Sequence, residues 1–231
     1  MKTTMTTTRR TRTGLVTVLL GTFALGGCAT MNNTERGGLI GAAAGAAVGA
    51  AIGNNNGGTA RGAIIGAALG GTAGALIGRR MDQKAEELRR RLPDATVERV
   101  GEGILITFDS GILFDFDSAE LQPEAIQNLS QLAVTLEDME DDAILMIVGH
   151  TDATGDDDYN LRLSKRRADA AERFLLGGGM GTNQIRTVGL GETEPVATNE
   201  TEAGQAQNRR VEVAIYASER YQQELLSRGG S

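Results

Sequence analysis

The sequence predicts an α+β chain: a C-terminal two-layer α/β sandwich, preceded by a glycine-rich helical hairpin and an export segment. Three observations predict it. From Asp94 onward, short apolar runs of strand character alternate with segments whose apolar residues recur at helical spacing. Ahead of them, within residues 37–78, glycines step by four through two apolar segments. At the start, a basic stretch leads into a short apolar run that ends at the only cysteine, Cys28. A chain of 231 residues holds roughly one or two folded units.

Residues 1–27 read as a signal peptide. Arg9, Arg10 and Arg12 form its basic region, and Gly14 to Leu25 its apolar run, shorter than the roughly 20 residues a bilayer-spanning helix needs. Leu25-Gly26-Gly27-Cys28 follows. At the end of an export signal this tetrapeptide resembles the bacterial lipobox, which implies cleavage before Cys28 and lipidation of that residue. Several acyl chains, at about 0.8 kcal/mol per buried methylene, anchor a protein stably where one does not. Residue 29 is Ala rather than Asp, which by the same analogy implies the outer membrane. A single cysteine excludes an intramolecular disulfide. The formal net charge is -7, and residues 1–27 hold four positive charges and no acidic ones, so the remainder carries -11. Such a chain repels phosphate backbones, which argues against nucleic acid as a partner.

After a linker, 28–36, comes the glycine block. Gly37, Gly41, Gly45, Gly49 and Gly53 form one series, and Gly62, Gly66, Gly70, Gly74 and Gly78 a second, with Asn54-Asn55-Asn56-Gly57-Gly58 between them. A helix brings i and i+4 onto one face, and a row of glycines there lets another backbone come close. The Asn/Gly break suits a turn. Each glycine costs about 1 kcal/mol in a helix, so packing must repay the loss. The two segments are expected to pair as a helical hairpin over 37–78, with copies of themselves, or with lipid. The block resembles the glycine-zipper segments of bacterial envelope proteins. Residues 79–93, charged and ending in Pro93, read as a solvated helical stalk.

Residues 94–218 have the composition of a globular domain, with 219–231 a tail. Val97–Val100 and Ile104–Phe108 read as strands around a Gly101-Glu102-Gly103 turn. Pro123 opens a helix with apolar residues at Ala125, Leu129, Leu132, Ala133 and Leu136. Ala143–Val148 is a buried strand. A helix over about 160–176 ends at Gly177-Gly178-Gly179. Ile185–Leu190 is a further core strand, and Val211, Val213 and Ile215 alternate as on a half-buried one. Two helices are expected on one face of a mixed sheet.

Several motifs in this domain carry a resemblance. Phe114-Asp115-Phe116-Asp117-Ser118-Ala119 leads into Leu121-Gln122-Pro123. Gly149-His150-Thr151-Asp152 precedes Tyr159-Asn160 and Leu163-Ser164-Lys165-Arg166-Arg167-Ala168. Gly189-Leu190-Gly191-Glu192 and Asn208-Arg209-Arg210-Val211-Glu212 come later. In this order and spacing they resemble the OmpA-like C-terminal domain. The resemblance implies non-catalytic binding of peptidoglycan through the diaminopimelate of its stem peptide. It implies that Asp152 accepts from the ligand's ammonium and that Arg167 holds its carboxylate, for which a planar guanidinium fork is suited. Phe116, Asp117, Thr151 and Leu163 would supply walls and backbone contacts, with Asn208 and Arg210 in support. Asp152 just beyond a strand and Arg167 early in the next helix converge at one edge of a βα unit.

Other chemistry finds less support. His150 is the only histidine, and a zinc site needs three or four ligands, so no metal or cofactor is expected. Asp115, Asp117 and Glu120 have the residue types of glycosidase carboxylates without a pocket that would raise one pKa. Asp156-Asp157-Asp158 lacks the alternating spacing of a calcium loop and reads as an acidic lead-in to a helix. The expected protein is an outer-membrane lipoprotein that tethers membrane to wall, its C-terminal domain in the periplasm. The alternative is an oligomeric membrane or assembly scaffold built on the glycine hairpin and localised by the clasp.

Overall fold

A computed structural model describes residues 58–139 and 141–229. In chain order the elements are α1 (Thr59–Gly66), α2 (Gly71–Arg91), β1 (Ala95–Val100), β2 (Gly103–Asp109), a single turn α3 (Ser110–Leu113), α4 (Pro123–Leu136), β3 (Ala143–Gly149), α5 (Asp157–Gly177), β4 (Ile185–Gly189), α6 (Glu202–Asn208), β5 (Arg210–Ala217) and α7 (Glu219–Gly229). The sheet order is β1-β2-β5-β3-β4. β3 and β4 are parallel and joined by α5, and the other pairs are antiparallel.

Local chemistry explains the boundaries. Val100 pairs with Gly103, leaving Gly101 and Glu102 as a two-residue turn with Gly101 at φ +51°. Pro123 sits at the start of α4, where its missing N–H costs nothing. Asp156 caps α5 by accepting from the Tyr159 N–H at 3.1 Å, and Asp157 and Asp158 lie in its first turn. The acidic triplet is thus a helix start.

The mixed α+β sheet agrees with the sequence reading, but the layering is richer. Three helices rather than two (α2, α4 and α5) cover one face, meeting alternate strand residues such as Ile104, Ile106, Leu145, Val213 and Ile215. The stretch expected to be a solvated stalk belongs to α2, where Ile77, Met81, Ala85 and Leu88 form a buried stripe that continues to Leu92. Its apolar positions recur every three or four residues among the charges, so one face is core and the other solvated. Among the described residues the packed unit therefore includes those from Thr59 onward, and not only those from Asp94.

The second glycine segment departs from expectation too. It is broken between Gly66 and Gly71, with Gly70 and Gly71 at positive φ. α1 lies on the opposite face of the sheet, its Ala60, Ala63 and Ile64 packed among Val100, Leu105, Val148, Ala214 and Tyr216. Carboxylates hold the start of α1 and the link into α2. Glu194 accepts from Thr59 N and Oγ1, and Glu102 from the N–H groups of Leu69 and Gly70. β5, expected to be half-buried, is buried along its whole length because both faces are covered. β4 is an edge strand in which only Ile185 is buried, not a core strand. The predicted tail is largely helix α7, whose Gln222 donates to the carbonyls of Ala67 and Ala217. Cys28, the first glycine segment and the pairing of the two segments lie outside the described residues. Among the described residues no helix is long and apolar enough to cross a membrane.

Candidate functional site

The site forms where β3 ends and the chain turns into α5. Two glycines set how closely strand and helix approach. A Cβ on Gly149 would stand 2.2 Å from the Ser164 carbonyl oxygen, and one on Gly189 2.4 Å from the Lys165 nitrogen. Only glycine lets these strand ends press against the backbone of α5. The following loop is held from within. Thr151 N–H donates to Gly191 O at 2.9 Å. The Asn160 amide donates to Asp152 O, Thr154 O and Glu192 Oε2.

Asp152 is mostly buried in this loop. Its Oδ1 accepts from Thr154 N–H at 2.9 Å and its Oδ2 from Arg209 Nη1 at 2.5 Å. Burial alone would push its pKa up, but the Arg209 and Thr154 hydrogen bonds win and hold it below 3.8. Arg167 projects from α5 and is only 5% exposed. Its Nε donates to Ser118 O at 2.9 Å and its Nη2 to Asp115 O at 3.4 Å, and its guanidinium lies 5.3 Å from the Phe114 ring centre. Among the described residues its partners are these two carbonyls and this ring, with no carboxylate in ion-pairing contact. Burial holds its pKa below the ordinary value, opposed by Tyr159 and Asp117 and aided by the neighbouring cations Arg209 and Arg166. Arginine keeps its charge regardless. The result is a buried cation that lacks a full counter-charge. That situation is costly in a folded protein unless an anion completes it.

All six residues predicted for the site line one cleft of about 630 Å³: Asp152, Arg167, Phe116, Asp117, Thr151 and Leu163. Their roles differ. Phe116 is 98% exposed and stands on the rim, so it is no buried wall. Asp117 adopts φ +57°, a left-handed conformation that Asp tolerates, and its carboxylate accepts from the Tyr159 hydroxyl. Ser110 Oγ and Thr151 Oγ1 are buried with no hydrogen-bond partner among the described residues, and both residues line the cleft. Unpaired buried hydroxyls are uncommon and mark places where a ligand could be held.

The two residues expected to support the site do not line the cleft. Asn208 is fully buried and holds the 196–199 loop, accepting from Val196 and Ala197 N–H and donating to Ala197 O and Asn199 Oδ1. Asn199 in turn accepts from Ala153 N–H, so Asn208 reaches Asp152 through that loop. Arg210 faces a different cleft of about 710 Å³ and pairs with Glu212 at 2.8 Å. The sequence reading passed over Arg209, although it sits between them in the same motif. His150 lies outside both clefts, with neither ring nitrogen hydrogen-bonded. Burial first, and then Arg210, lower its pKa to about 3. It stands 3.9 Å from Glu212 Oε2 but is neutral at ordinary pH, so the two form no salt bridge.

Comparison with known proteins places these residues in context. The model of the OmpA family matches residues 113–209, and that of the YMGG-like Gly-zipper matches residues 5–82. The chain is 37% identical over 137 residues to the probable lipoprotein YiaD of Escherichia coli (strain K12), covering 58% of this chain and 62% of that protein. It is 36% identical over 116 residues to the outer-membrane lipoprotein YfiB of Pseudomonas aeruginosa, covering 50% of this chain and 68% of that one. The solved structure of the cell wall anchor of the T6SS from Pseudomonas aeruginosa superposes with a TM-score of 0.53 at 27% identity, over 61% of this chain and 99% of that one. The chain thus spans less than two thirds of the length of the first relative.

Proposed function

We propose that this chain, which belongs to the OmpA family, is a non-catalytic peptidoglycan-binding protein of the outer membrane whose cleft holds the diaminopimelate of the stem peptide. One observation carries the reading. Arg167 is buried in a cleft with no carboxylate partner among the described residues, and the ionised Asp152 lines the same cleft. A ligand bearing one carboxylate and one ammonium close together completes both charges. The family membership and the wall-anchor structural relative support peptidoglycan as the source of that ligand. Lipid at Cys28 would hold the other end of the chain at the outer membrane, with the C-terminal domain in the periplasm.

Cosedimentation with purified sacculi tests the cleft. Asp152→Ala and Arg167→Ala should each weaken binding by about tenfold or more, the scale of a lost charge-assisted pair. Arg167→Lys should recover only part, because a point charge cannot fork. Binding by both alanine variants at the wild-type level would refute the clasp.

A second reading, an assembly scaffold localised by the clasp, rests on the glycine-zipper match. Because residues 59–78 are packed against the domain, its test is deletion of residues 37–57 alone. Loss of crosslinked oligomers without loss of sacculus binding would favour it.

A further inference from the structure

We infer that the cleft of about 710 Å³ beside α1 is a saccharide subsite, which takes the uncharged glycan strand of peptidoglycan while the first cleft holds the stem peptide. The inference rests on the function just proposed. The cleft lies on the face of the sheet that α1 covers only in part, and Leu105, which packs among the α1 residues, also lines it. The strands present Thr96 on β1, Thr107 on β2 and Glu212 on β5 there. The two clefts back onto one ridge. Asp109 lines this cleft and its neighbour Ser110 the first, and the same division falls between Ala206 and Gln205 and between Arg210 and Arg209. Successive Cα atoms are about 3.8 Å apart, so the two linings meet along the ends of β2 and α6. Peptidoglycan can use both. Its diaminopimelate is the third residue of a peptide whose first residue is joined to a muramic acid of the strand. Three extended residues span roughly 10 Å. Asp152 already touches the ridge through Arg209, so that span is enough to carry the sugar across it.

The free polar groups suit hydroxyls rather than charges. Arg210 is only 4% exposed and directs its donors to Glu212 Oε1, Asn208 O and Glu194 O. Arg61 pairs with Glu98. Neither arginine of the cleft is left to read an anion. Of the carboxylates, Glu212 is on Arg210, Glu194 holds the start of α1, and Asp109 accepts from the Gly111 N–H. Only Asp94 remains, so no cage of carboxylates awaits a cation. The polar side chains of this cleft without a hydrogen-bond or ion-pair partner among the described residues are Asp94, Thr96, Thr107 and Gln207. A carboxylate, two hydroxyls and an amide offer donors and acceptors together, which is what sugar hydroxyls, themselves donors and acceptors, require. Pro195 and Val196, the latter 60% exposed, add apolar surface for the C–H face of a ring. The strand's amino groups are acetylated and its muramyl carboxyl is an amide with the peptide, so no ligand charge has to be desolvated.

The test uses the full chain and two soluble probes, N-acetyl-L-alanyl-γ-D-glutamyl-meso-diaminopimelate and the same tripeptide carried on N-acetylglucosaminyl-N-acetylmuramic acid. Calorimetric titration of the wild type should show about tenfold tighter binding of the disaccharide peptide, the scale of two net hydrogen bonds. Thr107→Val combined with Gln207→Ala should make the two affinities nearly equal while leaving that for the bare tripeptide unchanged. Both changes spare the fold, because Val suits a strand and Gln207 is exposed. If the variant weakens both probes alike or keeps the preference, the sugar does not bind in this cleft and the inference is overturned. Equal binding of the two probes by the wild type overturns it as well, while leaving the proposed function intact. The preference should survive high salt, since no ion pair carries it; its collapse would show that a charge is being read and would sink the saccharide assignment. If the wild type binds sacculi but neither probe, the stem-peptide reading itself fails, and the inference with it.

Discussion

Gly149→Ala places a wedge between the two halves of the clasp. Its Cβ would stand 2.2 Å from the Ser164 carbonyl oxygen and 2.9 Å from the carbonyl carbon, both backbone atoms that cannot rotate away. Restoring even a 3.0 Å contact requires a separation of about 0.8 Å between β3 and α5, and overpacking of this kind costs about 1–3 kcal/mol. For a packed unit of this size each kcal/mol lowers Tm by about 2–4 °C, so a fall of roughly 2–12 °C is expected. The effect on binding comes from position. Asp152 follows Gly149 on one side of the wedge, and Arg167 follows Ser164 on the other, while binding constellations tolerate errors of only about 0.5 Å. Affinity for sacculi should drop about tenfold or more at a temperature where the variant is fully folded. Gly177→Ala is the control, since nothing lies within 4 Å of a Cβ added there. Differential scanning calorimetry and cosedimentation report the two quantities separately. If Gly149→Ala melts early yet binds as the wild type does, the close approach sets stability but not the site. If neither changes, the packing argument is wrong.

Ile64, 1% exposed between α1 and the sheet, should cost about 2–5 kcal/mol when changed to Ala. A change below about 0.5 kcal/mol in urea denaturation would mean that α1 does not dock on the outer face. His150 makes stability depend on pH. Its folded pKa of about 3 lies below the ordinary 6.5, so between these values the unfolded chain binds the extra proton and stability falls as pH is lowered. The loss is about 2 kcal/mol from pH 6.5 to 5, and His150→Leu, which breaks no hydrogen bond of the ring, should flatten that slope. An unchanged slope in the variant would assign the pH dependence to other groups.

The sequence by itself determined the α+β pattern of the C-terminal part and the residues that line the candidate cleft. Strand alternation, helical periodicity and turn glycines are local signals. The spaced motifs around Asp152 and Arg167 named all the predicted cleft-lining residues, and the structure brings these to one place. What the sequence could not show was which surface each apolar face meets. The stripe Ile77, Met81, Ala85 and Leu88 is visible once sought, yet the charges around it read equally well as a solvated stalk. Nothing local to residues 59–66 says that they cover the outer face of a sheet whose strands lie farther along the chain. Only the tertiary structure put Arg209 on Asp152, 57 residues away. It also separated Asn208 from Arg210, two residues on, one locking a loop beside the candidate cleft and the other facing a different cleft. The reason is that periodicity and capping act over a few residues, whereas the partner of a charge is chosen by which elements the packing of the core brings side by side.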